Sequence, residues 1–308
     1  MESAAGDQHL STTQVAAALG VSVSTVKRWV EDGVLPAEKT AGGHRKLLLA
    51  NVLEVARRER LPTSDLGRLV GAPRRRAKSV DTTSLEKSLY QAMLTGQGDE
   101  VRQLILGAYQ SGIAIESIAD QIISPALCRI GHDWEMEKID VMHEHRGTQL
   151  CAAALFELKA MLERRVKRNR PVAIGGAPAH DYSVLPTLLA QMVLLDAGWE
   201  AVNLGANTPL GSLQRAVVEM RPRLAWLSVS HLDHCDTFMR EYRDFYHAAE
   251  QKGVAVVVGG RALGDAIRAT IPYSSHGDGL THLAAFARML NPQKRRRPRG
   301  RPRVRGEH

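Results

Sequence analysis

The sequence predicts a multidomain α and α/β protein: a winged helix-turn-helix, a four-helix bundle and a doubly wound parallel sheet, ending in a basic tail. Three observations predict it. Apolar residues recur at helical spacing up to residue 168. From Pro171 onward, short apolar strands alternate with helices. Charge is also segregated: residues 1–80 hold 13 Lys/Arg against 8 Asp/Glu, a net +5, and residues 294–308 hold 8 against 1, a net +7. The stretch between them is −4 within a total of +8. Both ends therefore suit a polyanion and the middle does not, which points to nucleic acid; solubility alone needs no such segregation.

Other classes are disfavoured. No apolar run is long enough to span a bilayer, and no signal peptide is expected. Cys128, Cys151 and Cys235 are too widely spaced for a disulfide framework or a metal knuckle, so a cytoplasmic setting is expected.

The N-terminal unit is expected over 1–71. Ser11 followed by Gln14 is a capping box that starts a helix through Leu19, with Val15, Ala18 and Leu19 on one face. Gly20-Val21 makes a turn, and Ser22 or Ser24 caps a second helix to about Asp32. Val23, Val26 and Trp29 are spaced for burial, which leaves Ser24, Thr25, Lys27 and Arg28 on the open face. That is a helix-turn-helix presenting its second helix to the major groove, where Lys27 and Arg28 reach phosphates or guanine edges. Thr40 to Lys46 is a glycine turn carrying His44, Arg45 and Lys46, read as a wing, with a helix from Val52 to Arg60 behind it. The run from Thr12 to Lys46, TTQVAAALGVSVSTVKRWVEDGVLPAEKTAGGHRK, resembles the MerR family, with Leu47 where many members carry an aromatic residue. The resemblance implies a dimeric reader of an inverted-repeat, double-stranded DNA operator.

A basic linker is expected over 72–83, then a helical bundle over 84–169. Leu85-Leu89-Met93, Val101-Leu104-Ile105-Ala108 and Ile118-Ile122-Ile123-Leu127 mark three helices, and a fourth runs from about Met142 to Val166. Gly96, Gly98, Gly112 and Pro125 punctuate them. Within the bundle, Trp134 is followed at a distance by Glu144-His145.

The α/β unit is expected over 170–291. Its strands are Val172–Ile174, Ala201–Leu204, Leu224–Ser230 and Val254–Val258, with a last one near Ile271-Pro272. Its helices are Leu185–Ala197, Leu210–Met220, Cys235–Gln251 and Leu280–Leu290. Ligands of such sheets bind past the carboxyl ends of the strands, where His180, Ser228, Ser230, Gly259 and Gly260 fall.

This bundle followed by a flavodoxin-like sheet resembles the cobalamin-binding module of methionine synthase and of the CarH/LitR light-dependent repressors, over roughly residues 84–290. The resemblance implies that His180 is the lower axial ligand of cobalt, with Asp181 beside it. The family's Asp-x-His-x-x-Gly reads Pro178-Ala179-His180-Asp181-Tyr182-Ser183 here, so the aspartate that normally orients the imidazole is replaced by Pro178. Ser228 or Ser230 would meet the nucleotide tail, and Gly259-Gly260 would let it pass close to the backbone. Trp134, Glu144 and His145 match the residues that cap the upper face and leave room for a 5′-deoxyadenosyl group. Light-sensing members often carry a histidine after that Trp, whereas this chain has Glu135.

The tail, 292–308, contains Pro-Arg-Gly-Arg-Pro-Arg around Arg299, Gly300 and Arg301, the core of an AT-hook aimed at a narrow minor groove. The expected function is a non-enzymatic, nucleoid-associated DNA-binding repressor controlled by adenosylcobalamin and by light, through a homo-oligomer (dimer or tetramer). The alternatives are a regulator whose module senses another ligand or only oligomerises, and a corrinoid carrier in methyl transfer.

Overall fold

The computed structural model describes residues 9–39, 45–58, 81–164 and 170–291. The basic linker up to residue 80, the wing-tip residue His44, and the tail with Arg299, Gly300 and Arg301 lie outside the described residues. No described helix is long and apolar enough to cross a membrane.

In the N-terminal unit, β1 (His9–Ser11) leads directly into α1 (Thr12–Leu19). The Ser11 hydroxyl accepts the Gln14 amide proton, and the Gln14 side chain accepts from the Ser11 amide, so the capping box is complete. Gly20 closes α1 at φ 64, a left-handed conformation that a side chain would strain. It turns the chain into α2 (Val23–Glu31), which is capped by Ser22. Strands β2 (Ala37–Lys39) and β3 (Arg45–Leu48) form the wing, and α3 (Leu49–Arg58) follows. One element was not expected: β1 pairs antiparallel with β3, which makes the wing three-stranded in the order β1-β3-β2. Three residues of polar and mixed character carry too short an alternation to read as a strand. Val15, Leu19, Val26, Leu35, Leu47 and Val52 are fully buried, so Leu47 fills its site without an aromatic ring.

The bundle starts at Thr82, slightly before the expected boundary, because Asp81 caps the helix by accepting from Thr83 and Ser84. Its helices are α4 (Thr82–Thr95), α5 (Gly98–Gln110), a continuous run from Ile115 to Glu135, and α8 (Val141–Glu163). The third run consists of α6 (Ile115–Ile118), a π-helical stretch (Ala119–Ile123) and α7 (Ser124–Glu135). Pro125 was expected to punctuate. It sits instead at the start of α7, where the π stretch accommodates its missing N–H. Leu89, Met93, Ile105, Ile123, Ile130, Leu155 and Leu158 fill the interior.

In the α/β unit, β4 (Val172–Gly176), β5 (Glu200–Asn203), β6 (Leu224–Ser228), β7 (Ala255–Gly259) and β8 (Ser275–Gly277) form a parallel sheet in the order β5-β4-β6-β7-β8. Helices α9 (Val184–Asp196) and α13 (Leu280–Leu290) cover one face, and α10 (Leu210–Met220) and α11 (Cys235–Gln251) cover the other. Alternation along β6 decides the sides: Leu224 and Trp226 join the first core, Ala225 and Leu227 the second. The last strand is not at Ile271-Pro272. Ile271 closes the short α12 (Asp265–Arg268) by donating to the Ile267 carbonyl, and the Pro272 carbonyl accepts from the Tyr242 hydroxyl. Pairing with β7 begins only at Ser275.

The bundle docks on the α9/α13 face. Gly279, which precedes α13, has no side chain to cap it, and Asp120 of the π stretch supplies the cap from across the interface. Its carboxylate accepts from the backbone of Leu280 and Thr281 (2.8 Å each) and from the Thr281 hydroxyl (2.7 Å). Arg288 pairs with buried Glu116 at 2.7 Å, and the Tyr109 hydroxyl donates to Asp196.

Candidate functional site

The order β5-β4-β6 reverses the chain's direction of travel between β4 and β6, creating a switch-point crevice at the carboxyl ends of these strands. The β4–α9 loop begins with a turn closed by the Asp181 amide donating to the Pro178 carbonyl (3.1 Å). His180 occupies the third position at φ 67, a conformation uncommon for any residue with a Cβ. Its amide donates to Asn207 (2.8 Å), while its side chain is exposed. The loop therefore spends strain to hold one imidazole out at the crevice.

Asp181 does something the sequence did not suggest. Its carboxylate is completely buried and accepts from the backbone of Ser183 (3.0 Å), Ser230 (2.6 Å) and His231 (3.3 Å). It staples the β4 loop to the β6 loop. Pro178, standing where the motif has its aspartate, is buried.

Ser228 is buried at the end of β6 in register with Gly259. Ser230 is half-buried and its carbonyl accepts from Arg261. The glycine pair has an internal reason: a Cβ on Gly260 would collide with the Val229 carbonyl, and one on Gly259 would lie 3.1 Å from the Gly277 carbonyl. Gly260 is thus required by the protein's own backbone packing, while a side chain at Gly259 needs its neighbour to give by a few tenths of an ångström.

On the bundle, Trp134 in the last turn of α7 is 45% exposed. It lines an open groove of about 690 Å³ with Leu94, Lys138, Ile139, Val141 and His143. The position of this turn is secured by Asp133, which accepts from Tyr90 (2.8 Å) and Lys138 (3.0 Å). Those bonds hold its carboxyl below the usual range, the Tyr90 bond contributing most. Glu144 and His145 stand together in the first turns of α8: the Glu144 carboxylate is 3.5 Å from the His145 ring and accepts from Thr148. His145 is exposed, and His143 rather than either of them lines the groove.

The exposed apolar side chains cluster accordingly. Trp134, Met136, Val141 and Met142 stand around the α7–α8 connection, Tyr182 (71% exposed) on the β4–α9 loop and Val184 at the start of α9. Large apolar groups left open on the bundle and on the loop that carries the His180 imidazole suit a flat, mostly apolar ligand with a metal at its centre. The imidazole is an appropriate axial donor, so ring and ligand chemistry fit a corrinoid.

The reader surface is simpler. Lys27 and Arg28 are exposed on α2. The Ser24 and Thr25 hydroxyls, expected on the open face, both bond the Ser22 cap (2.7 and 2.8 Å), and Thr25 is half-buried. This also resolves the cap as Ser22. On β3, Lys46 is exposed opposite Ser11 and Glu38; Arg45 begins the strand, paired with Lys39.

Sequence reading missed His231, Asp233 and His234, although they directly follow the third strand of the sheet, where the carboxyl-end rule applies. His231 bonds Asp233 at 2.6 Å, and the His234 ring lies against that of His180.

Residues 10–60 match the helix-turn-helix domain family and residues 85–159 the B12 binding domain family. The sequence is 27% identical over 203 residues to the HTH-type transcriptional repressor CarA of Myxococcus xanthus, covering 65% of this chain and 66% of that protein. It is 30% identical over 147 residues to the HTH-type transcriptional repressor CarH of the same organism, covering 46% of each. The matched stretch thus spans less than two thirds of either relative. In structure it is similar to the Methanosarcina barkeri monomethylamine corrinoid protein, with a TM-score of 0.57 at 16% identity over 67% of this chain and 98% of that one, a likeness of fold. The protein combines a helix-turn-helix domain with a B12-binding domain and is homologous to these repressors.

Proposed function

We propose that this protein is a DNA-binding transcriptional repressor whose hold on its operator is set by adenosylcobalamin. The observation that carries the reading is the exposed, strained imidazole of His180 at the switch point, in a chain that begins with a helix-turn-helix. His180 would donate to cobalt from below. Trp134, with Glu144 and His145, would cover the upper face, and Ser228, Ser230 and the turn at Gly259-Gly260 would border the nucleotide tail. Asp181 serves by joining the two loops that carry the site.

When bound, adenosylcobalamin supplies a cobalt–carbon bond that light cleaves. The residues on the upper side would then lose the group they enclose, and the balance between oligomeric states would move with that loss. Lys27, Arg28, Lys46 and the wing residues His44 and Arg45 would meet the DNA backbone, with Arg299, Gly300 and Arg301 in the minor groove. The net +5 and +7 of the two ends flanking the −4 middle support this division of labour. The homologous repressors support the regulatory reading over methyl transfer, as does the fused reader.

The test is to mix the full chain with adenosylcobalamin in the dark, pass it through gel filtration, and illuminate it. The expected result is a retained chromophore whose spectrum changes in light, with a shift in elution volume and in the gel mobility of an operator fragment. Failure to retain the chromophore overturns the reading. Retention without any response to light removes only the photochemical part.

A further inference from the structure

Two loops from different strands bring two imidazoles together. The His180 and His234 rings stand 5.9 Å apart between centroids and at 89°, edge against face. Neither position is accidental. The His180 backbone is held by Asn207 and by the turn at Pro178. His234 precedes α11 as its N-cap residue, but its side chain makes no cap bond; the helix is entered through its carbonyl, which accepts from Phe238. A residue at an N-cap is normally chosen for an oxygen that caps. Here the side chain is turned to another ring instead.

The loop carrying His234 is itself fixed. Val229 donates to Gly259, Ser230 and His231 donate to the Asp181 carboxylate, and Arg261 donates to the Ser230 carbonyl. His231 is occupied by Asp233. The residue next to His180 in sequence therefore anchors the loop that brings His234 to it. Meanwhile Pro178 offers no carboxylate to the His180 ring, and the Asp181 carboxylate is committed to backbone amides.

We infer that His234 is the positioning residue for His180, fixing the plane of its imidazole by edge-to-face contact where this sequence lacks an acidic orienter. An axial ligand must present one nitrogen lone pair along one direction, and a ring free to rotate presents it only part of the time. A perpendicular ring packed against the imidazole restricts that rotation.

The inference rests on the proposed corrinoid reading, and the test separates the two. The probe is cobinamide, a corrinoid without a lower base, bound to the full chain and reduced to cobalt(II), so that nitrogen splitting in the EPR spectrum comes only from a protein imidazole. The wild type is expected to bind with resolved splitting, and H180A to lose the splitting. H234A is expected to bind about tenfold more weakly, with the splitting lost or smeared. H234F, which keeps a ring but no nitrogen, is expected to retain the sharp splitting. Wild-type affinity and splitting in H234A overturn the inference, and so does a loss in H234F equal to that in H234A. If the wild type takes up neither cobinamide nor adenosylcobalamin, the functional reading falls, and this inference with it. If the wild type binds with splitting and only the H234 variants depart from expectation, the inference falls alone.

Discussion

The bundle meets its surroundings in two contrasting ways. Where it docks on α9 and α13, polar contacts run across the interface: Asp120 caps α13, Arg288 answers Glu116, and Tyr109 reaches Asp196. Around the α7–α8 connection, Trp134, Met136, Val141 and Met142 are left largely exposed. The first region is tied together by ion pairs and a cap, and the second is left open. The contrast separates scaffold from candidate site: contacts across the interface hold the bundle to the α/β unit, and apolar surface left facing outward marks a candidate binding face.

That contrast can be broken most severely at the crevice. H180A is expected to lower corrinoid affinity about 100-fold, the upper end for loss of a metal-site group, with urea stability unchanged because the side chain is exposed. Calorimetric titration with adenosylcobalamin gives the first quantity and urea unfolding the second. D120A should do the reverse. It removes the α13 cap and three bonds to a carboxylate, and should cost about 2 kcal/mol in unfolding, with ligand affinity changed less than in H180A. If D120A leaves stability intact, the docking region is not the scaffold argued here.

Smaller effects sharpen the boundary. W134A should weaken corrinoid binding about tenfold, as removal of one large apolar contact does, with little effect on unfolding because the ring is already 45% exposed. A loss of stability as large as in D120A would place Trp134 in the scaffold instead. Asp133 ties the Trp134 turn to Tyr90 and Lys138. Its folded pKa is depressed, so its contribution is complete at and above the ordinary carboxylate range and is lost as pH falls through the lower folded value. D133N should flatten the acid limb of the stability profile, measured as the urea midpoint against pH. Last, burial pushes the Cys151 thiol up to about 12, whereas Cys128 and Cys235 are exposed. A thiol reagent at neutral pH should label the latter two and spare Cys151, as mass mapping would show.

Much of this was legible from residues. The capping box at Ser11 and Gln14, the helices Leu210–Met220, Cys235–Gln251 and Leu280–Leu290, and the exposed crevice position of His180 follow from local chemistry and periodicity. The three-stranded wing, the true place of β8 and the occupied hydroxyls of Ser24 and Thr25 were not, because each depends on a partner chosen elsewhere in the chain. The glycine pair shows a subtler limit. Its position at the strand end was legible in the sequence, but the Val229 carbonyl that excludes a side chain at Gly260 was not.

The sequence by itself determined the order of domains, the segregation of charge and most helices, since periodicity, capping and charge act over a few neighbouring residues. Only the tertiary structure decided how individual residues are used. It assigned the Asp181 carboxylate to the backbone of another loop, set His234 against His180, and sent Asp120 to cap a helix 160 residues away. Such pairings depend on which loops a sheet order brings together, and no local pattern encodes that.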